Sequence, residues 1–400
     1  MSTPWPLTSV QHIQRASGIG GCERHLLQLL PALAQRGFDV SIVVMCLPGA
    51  EEFLDALATE GVRFERIPVT HHVDTGAVAR LGAAMLTRKP DLVHTHLIHA
   101  DTHGQVSARL VGIPAISTVH GAHPFYRRAP YRAIAALAGH LARRTIAISH
   151  HVRSLLLEEH IASANKVTVI PYGIDTAPWE MATRRRDTER AGYGLGGSDI
   201  VIVMASRLIR GKGHETLLSA AALARQQGAP IRVLIAGDGP RRAELEALAR
   251  LLGVEDAVRF LGFVGDVSSL MAAGDIVAFM TEPSLGEGFG LAALEAMAAG
   301  KPVVATTVAS LPEIVVSEET GILVGPGDIE GAAAAIGRLA IDAALRGRMG
   351  SAGQRRAVDR FSLSAMVDGT LGVYREVHES RLARRAALGT RRPRARDHHG

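Results

Sequence analysis

Short runs of consecutive apolar residues recur along the chain, each followed by a longer stretch whose apolar positions fall three or four apart. After a short, more polar strand at 10–14, the runs at 39–45, 91–94, 115–119, 144–148 and 167–170 read as strands. They are too continuously apolar to leave one sheet face in water, so both faces are expected to be covered. A glycine turn, Gly18-Ile-Gly20-Gly21, precedes a helical pattern over 23–35. Such strands separated by helices predict a parallel sheet with right-handed crossovers.

The pattern breaks over 176–198, a polar, charged and Gly-rich stretch that reads as a linker. It then resumes, with strands predicted at 200–205, 231–236, 258–261, 275–280 and 302–305 and helices at 214–227, 241–252 and 290–299. A last helix is expected over 361–377, with Phe361, Met366, Leu371 and Tyr374 on its buried side. The fold class is therefore α/β, two doubly wound domains facing across a deep cleft, with ligands at the carboxyl ends of the strands. The expected divisions are an N-terminal domain 1–175, the linker 176–198, a second domain 199–362, a C-terminal helix 363–380 and a basic tail 381–400 read as disordered.

Composition sharpens this picture in three ways. The 400 residues are 47% hydrophobic but only 4% aromatic, so the cores must be built mainly from Ala, Val, Leu and Ile. Mean hydropathy is +0.15, yet no apolar run reaches the roughly 18 residues that span a bilayer. The first residues lack a secretory pattern, and two cysteines make no disulfide framework, so a cytoplasmic setting is expected. Finally, the net charge of +5 misleads. Residues 381–400 hold seven Arg against the single Asp397, a net +6, which leaves the preceding 380 residues at −1. A near-neutral body argues against a nucleic-acid partner, which calls for a basic patch on the fold itself.

The strongest local signal is Pro283-Ser-Leu-Gly-Glu287-Gly288-Phe289-Gly290-Leu291, continuing through Glu295 to Gly300-Lys-Pro302. It follows a strand and opens a helix, where free amides favour an anion such as phosphate. Glu295, inside the helix, suits two vicinal hydroxyls such as those of ribose, and Glu287 in the loop suits a sugar. The alternative is a Gly-rich turn with solvated carboxylates. A second signal, Ser206-Arg207-Leu208-Ile-Arg210-Gly211-Lys212-Gly213, sets cations after a strand, and Arg207 and Lys212 suit a diphosphate. Here the alternative is a solvated basic turn, which describes Arg210.

Together these stretches resemble the retaining, nucleotide-sugar-dependent glycosyltransferases of family four, whose fold, called GT-B, pairs two Rossmann-like domains. The Glu287-x7-Glu295 arrangement is the most specific mark. The resemblance continues through Gly20-Gly21-Cys-Glu23-Arg24, Asp91-Leu-Val-His94-Thr-His96, Thr118-Val-His120-Gly121, Pro171-Tyr-Gly173-Ile-Asp175, Gly237-Asp238-Gly239-Pro240, Leu261-Gly262 and Pro312-Glu313, covering about residues 10 to 375. It implies that Arg207 and Lys212 neutralise the donor diphosphate and that Glu295 binds ribose. Glu287, with the amides of Gly288, Phe289 and Gly290 and the adjoining Leu291, would hold the donor sugar. His120 would lie across the cleft near the reacting carbon. Gly20 and Gly21 would let the N-terminal domain close on the phosphates, and the segment around Gly262 would meet the base. The final helix would cross back to the N-terminal domain.

The implied reaction moves a sugar from a nucleoside-diphosphate sugar to a hydroxyl acceptor (a glycan, a lipid-linked glycan or a small metabolite) with retention. No cofactor and no divalent metal are expected, since the chain contains no Asp-x-Asp. The alternatives are a sugar-nucleotide epimerase of the same fold and an inactive sugar-nucleotide-binding protein. Two departures stand out: Tyr172 replaces the family's usual Asn, and Ala309-Ser310 stand where Gly-Gly is common. His94, His96, His99 and His103 invite a metal reading, but the first two fall at a strand end in the expected cleft, so they are read as cleft-lining or solvated. Cys22 reads as a small buried residue. Residues 124–144 mix Arg, aromatics and an apolar stripe. They read either as an ordinary helix or, with the tail, as a peripheral contact to the anionic inner face of a membrane.

Overall fold

A computed structural model describes residues 8–69, 74–122, 124–285 and 287–389, with the side chains of 124, 125 and 384–389 left out. The first domain is a seven-stranded sheet: β1 (Ser9–Ala16), β2 (Asp39–Cys46), β3 (Arg63–Pro68), β4 (Leu92–His96), β5 (Ala115–Val119), β6 (Thr145–Ala147) and β7 (Val167–Val169). The second has six strands: β8 (Ile200–Ala205), β9 (Ile231–Ala236), β10 (Val258–Gly262), β11 (Ile276–Phe279), β12 (Val303–Thr306) and β13 (Gly321–Val324). Their orders are β3-β2-β1-β4-β5-β6-β7 and β10-β9-β8-β11-β12-β13. Every pairing between these strands is parallel. Both sheets thus reverse winding in the middle, between β1 and β4 and between β8 and β11. Those two switch points are where a doubly wound sheet leaves a crevice.

The central strands are buried on both faces, as their continuous apolar runs require: Val201, Ile202 and Val203 of β8 and Val303, Val304 and Ala305 of β12 are all inaccessible to solvent. β3, at the edge, reads Arg-Phe-Glu-Arg-Ile-Pro and buries only Ile67. Its charges protect an exposed strand edge from pairing with another chain, and they also hide it from a search for apolar runs.

The stretch 176–198 is more structured than a linker. It forms the helices Ala177–Thr183 and Arg186–Gly192. Arg190 fixes the second one: only 3% exposed, it donates to Asp275 Oδ2 at 3.0 Å and to the carbonyls of Gly196 and Asp199, both at 2.6 Å. Asp275 also accepts from Arg186 at 2.7 Å and from the Val201 amide at 2.9 Å. The connection is therefore clamped to the start of β8.

The final helix runs Leu363–Gly389, past the expected end at 380. Ala, Leu and Arg in 381–389 are strong helix formers and carry it on, so this part of the expected disordered tail is helical. Residues 390–400 lie outside the described residues. The helix packs against the first domain: Met366, Val367, Leu371, Tyr374 and Val377 are buried in one cluster with Val10, Leu26 and Leu29. Phe361, just before it, is buried as expected. The chain is pinned where it crosses, the Ile174 amide donating to Phe361 O at 2.8 Å and the Leu363 amide to Ile174 O at 3.1 Å. Among the described residues no helix is long and apolar enough to cross a membrane. In the 124–144 segment the helix Ala129–Leu141 buries Ala135, Ala138 and Gly139. Its outer face exposes Tyr131 and Leu137, while Arg132 pairs with Glu159 at 3.5 Å.

Arg190→Ala would leave Asp275 with Arg186 as its one remaining ion-pair partner among the described residues and would take the donor from the Gly196 and Asp199 carbonyls. Loss of one partner of a buried pair costs about 3–5 kcal/mol. Urea unfolding should show a loss of that size, while Arg185→Ala, on the exposed side of the same connection, should cost under about 0.5 kcal/mol.

Candidate active site

The two switch points face each other across a cavity of about 420 Å³. The first domain contributes Gly21, Cys22 and Glu23 at the start of the helix Gly21–Gln35, with His120, Gly121 and Tyr172; the second contributes Arg207, Lys212, Glu287, Gly288, Phe289, Gly290 and Leu291. The structure therefore gathers most of the residues singled out from the sequence around one space. Two helices, Gly21–Gln35 and Leu291–Ala298, begin there from opposite sides.

The approach of the two domains is tightest at Gly288. A Cβ there would lie 2.3 Å from the His120 carbonyl oxygen and 2.7 Å from Gly121 Cα, so only glycine fits. Its carbonyl accepts a hydrogen bond from Ser149 Oγ at 2.9 Å. Gly290 starts the helix Leu291–Ala298 at φ +93°, the left-handed region that glycine enters without strain. Ala309 takes the same region at φ +54°, which accounts for glycine being common at that place. Ser310 is fully buried and donates to Phe289 O at 2.9 Å, so it steadies the loop. Glu313 reaches across the domain boundary and accepts from the amides of His150 and His151, both at 2.8 Å, at the start of the helix His150–Glu158.

Lys212 donates to Glu287 Oε2 at 2.6 Å and sits 5.6 Å from the Phe279 ring centroid. The two residues assigned to diphosphate and sugar are thus paired with each other. Arg207 lines the same cavity with its side chain exposed and without a partner among the described residues. Glu295 does not line this cavity. It borders a second one, of about 510 Å³, with Arg24, Trp179 and Asp266. Arg24 spans the domains to reach Glu295 at 3.3 Å. Burial pushes the Glu295 carboxyl up to about 7, and the Arg24 guanidinium holds it from rising further. Gly20 caps the helix Gly21–Gln35, its amide donating to Glu23 Oε2 at 2.9 Å. Gly262 closes β10 at φ +74°, and neither Gly20 nor Gly262 lines either cavity.

His120 does not stand alone. Its Nδ1 lies 2.6 Å from Tyr172 OH and its Nε2 lies 2.9 Å from His96 Nδ1. His96 Nε2 continues to His12 Nδ1 at 2.9 Å, and His25 stacks on Tyr172 with centroids 4.6 Å apart. His12 and His25 carry no motif of their own and escaped the sequence reading; His12 stands beside Gln11 and Gln14, polar residues that β1 buries. His103 takes no part, since its Nε2 accepts from the Asp74 amide at 3.0 Å and its Nδ1 donates to His99 O at 2.7 Å. The sets His12–His94–His96 and His25–His96–His120 bring ring nitrogens within 4.8 Å. Neither set includes a carboxylate, and the nitrogens joining His12, His96 and His120 are already bonded to each other, so a cation would have to break those bonds. Cys22 is buried, and burial pushes its thiol up, with the Glu23 charge adding to the effect.

Comparison with known proteins agrees with this geometry. The model described as Glycosyltransferase Family 4 matches residues 19–178, and that described as Glycosyl transferases group 1 matches residues 185–356. Glycogen synthase of Mycobacterium tuberculosis is 30% identical over 386 residues, covering 89% of this chain and 91% of that protein. The chain belongs to the family-four glycosyltransferases. The D-inositol 3-phosphate glycosyltransferase of Acidothermus cellulolyticus is also 30% identical to this transferase, over 96% of its length and 91% of the relative's. Among solved structures, Anabaena Alr3699/HepE in complex with UDP and glucose superposes with a TM-score of 0.79 at 23% identity, over 92% of this chain and 99% of that one. The fold of this family-four transferase is GT-B.

The buried histidines set its response to acid. Burial lowers His12 and His25 to about 3 and holds His94, His96 and His120 well below their ordinary value of 6.5. The unfolded chain therefore binds more protons below about pH 6.5, and stability present above that value is lost as the pH falls. Asp101 and Glu295, both raised by burial to about 7, act in the opposite sense, but two acids do not offset five histidines. Each net proton is worth roughly 1 kcal/mol per pH unit. Against a typical stability of about 5–15 kcal/mol, circular dichroism should show cooperative unfolding at about pH 4–5.

Proposed function

We propose that this glycosyltransferase takes its sugar from a nucleoside-diphosphate sugar, passes it to a hydroxyl of a glycan, lipid-linked glycan or small metabolite with retention, and needs no divalent metal. The observation that carries the reading is the meeting of Arg207, Lys212 and two helix starts at one cavity. Cations and free amides converging from both domains match a diphosphate, the group that leaves with extra negative charge. Donor phosphate would take Lys212 from Glu287, freeing the carboxylate to accept hydroxyls of the sugar beside the Gly288–Gly290 amides. Ribose hydroxyls would replace Arg24 at Glu295, next to the second cavity. The relatives support a nucleotide donor: an Anabaena structure was solved with UDP-glucose. For the acceptor, the exposed Tyr131 and Leu137 and the basic residues near them support access to a lipid-linked glycan.

The transition state separates a diphosphate from a sugar cation. Once the donor is bound and Lys212 has moved to its phosphates, Arg207, Lys212 and the helix starts already face the negative half, the largest single source of rate in such chemistry. Glu287, released by Lys212 when phosphate binds, is placed to hold the sugar. An epimerase of this fold would release nucleoside diphosphate without an acceptor, whereas the transferase should release it in step with acceptor consumption.

Two measurements test the assignment. In calorimetry, Glu295→Ala should weaken nucleoside diphosphate about 10–150-fold, the worth of hydrogen bonds to a charged acceptor, and Glu287→Ala should weaken the intact donor more than the bare nucleotide. Wild-type nucleotide affinity in Glu295→Ala would remove the ribose assignment. Transfer should persist in excess EDTA, and Lys212→Ala should lower turnover about 10²–10³-fold. Activity lost in EDTA and restored by Mn²⁺ would refute the metal-free reading.

A further inference from the structure

Four of the five buried histidines beneath the cleft, all but His25, belong to one unbroken hydrogen-bonded chain. From the cavity inward it runs Tyr172 OH, His120, His96, His12, Tyr374 OH, His94 and Thr118 Oγ1. Its links measure 2.6, 2.9, 2.9, 3.4, 2.8 and 2.7 Å. The side chains inside it come from β1, β4, the end of β5 and the helix Leu363–Gly389, so it ties the cleft to the crossover helix. Burial keeps these imidazoles neutral. A neutral imidazole has one N–H and one lone pair. Each ring must therefore donate on one side and accept on the other, and the direction chosen at one end propagates to the other.

The inner end decides the direction. Thr118 is 2% exposed, and its hydroxyl meets His94 Nε2 alone among the described residues. If His94 donated to it, the threonine hydrogen would be buried without an acceptor, which is costly. Thr118 therefore donates. His94 then donates from Nδ1 to Tyr374, Tyr374 donates to His12 Nε2, and His12, His96 and His120 each donate from Nδ1. All four rings hold their hydrogen on Nδ1. Tyr172 receives the last of these bonds and has its own hydrogen left over. Tyr172 lines the cavity, and stacking on His25 and the contact with Phe289, centroids 5.2 Å apart, fix its ring. Both His120 nitrogens are used, so Tyr172 presents the chain's outward donor.

We propose that Tyr172 is a substrate-contacting residue that gives its hydroxyl hydrogen to a sugar oxygen in the cleft, and that Tyr374 is the positioning residue that sets this direction through His12, His96 and His120. The proposal rests on the transferase reading for the identity of the ligand, not for the direction of the chain. Tyr172 stands where the family usually has Asn, so a ring-borne hydroxyl backed by aligned bonds, which strengthen one another, is a feature of this chain's own sugar preference.

The test has two arms. In the first, ¹⁵N spectra of the whole protein at neutral pH should show His12, His94, His96 and His120 with hydrogen on Nδ1. Tyr374→Phe removes one oxygen and should turn His96 and His120 into tautomer mixtures, while Val373→Ala, a packing loss on the same helix, should leave them unchanged. Hydrogen on Nε2 in the wild-type rings, or an unaltered His120 in Tyr374→Phe, overturns the proposal. So does tight uptake of one equivalent of Zn²⁺ that shifts His12, His94 and His96 together, because it makes the cluster a metal site. In the second arm, Tyr172→Phe should lower kcat/KM with UDP-, GDP- or ADP-glucose by about 10-fold, the worth of one good hydrogen bond, leaving affinity for the bare nucleotide unchanged. Tyr374→Phe should lower it less, and the double variant should match Tyr172→Phe alone, since both act through one chain. Losses that multiply overturn the link. If none of these donors is turned over or bound, the reading of a nucleoside-diphosphate glucose as donor fails, while the spectra still decide the chain's direction.

Discussion

The close approach of the Gly288 backbone to the His120 carbonyl is the constraint on which the site depends. At any larger residue the two domains would stand apart, and the cations of one would not share a cavity with the helix start of the other. Ser149 and Glu313 hold the same seam by donating to and accepting from backbone groups. The crossover of the last helix adds apolar burial against the first domain, so the seam need not carry the whole cost of holding two domains together. What remains at the cleft is polar and replaceable. Lys212–Glu287 and Arg24–Glu295 are pairs that a ligand with phosphates and hydroxyls can exchange one for one.

A second consequence is that the floor of the cleft is polar yet dry. Neutral histidines fill a place where aliphatic residues would pack more simply, and each one lowers tolerance to acid. Such a cluster is acceptable only when every member is bonded. The chain from Tyr172 to Thr118 meets that condition, and it does so only because Tyr374 returns from the far end of the sequence, while His25 Nδ1 beside the chain is buried without a partner among the described residues. Stability and the proposed sugar contact of Tyr172 therefore share the crossover helix.

Much of this is legible in the sequence, for identifiable reasons. Central strands such as β8 and β12 are buried on both faces and so read as apolar runs. The motif that opens the helix Leu291–Ala298 places glycines where backbone meets backbone, so Gly288 and Gly290 stand out before any geometry is known. Arg207, Lys212 and Glu287 are found because their charges stand beside such glycines. The edge strand β3 is hidden by its charges, and the clamp made by Arg190 looks like part of a polar linker, because a buried ion pair is written with the same letters as a solvated one. His12 is missed because a relay has no local spacing, and His25, outside the relay, because stacking on Tyr172 leaves no motif. The relay's members come from strands and a distant helix that only the fold sets side by side.

The most direct test of the account is whether the diphosphate drives binding. Thermal unfolding should be followed with a nucleoside, its monophosphate and its diphosphate, for uridine, guanosine and adenosine, in EDTA. If Arg207, Lys212 and the facing helix starts form the binding core, one diphosphate at about 100 times its dissociation constant should stabilise the fold by about 2.7 kcal/mol, with the parent nucleoside giving almost nothing at the same concentration. Equal stabilisation by nucleoside and diphosphate, or none by any diphosphate, would contradict it.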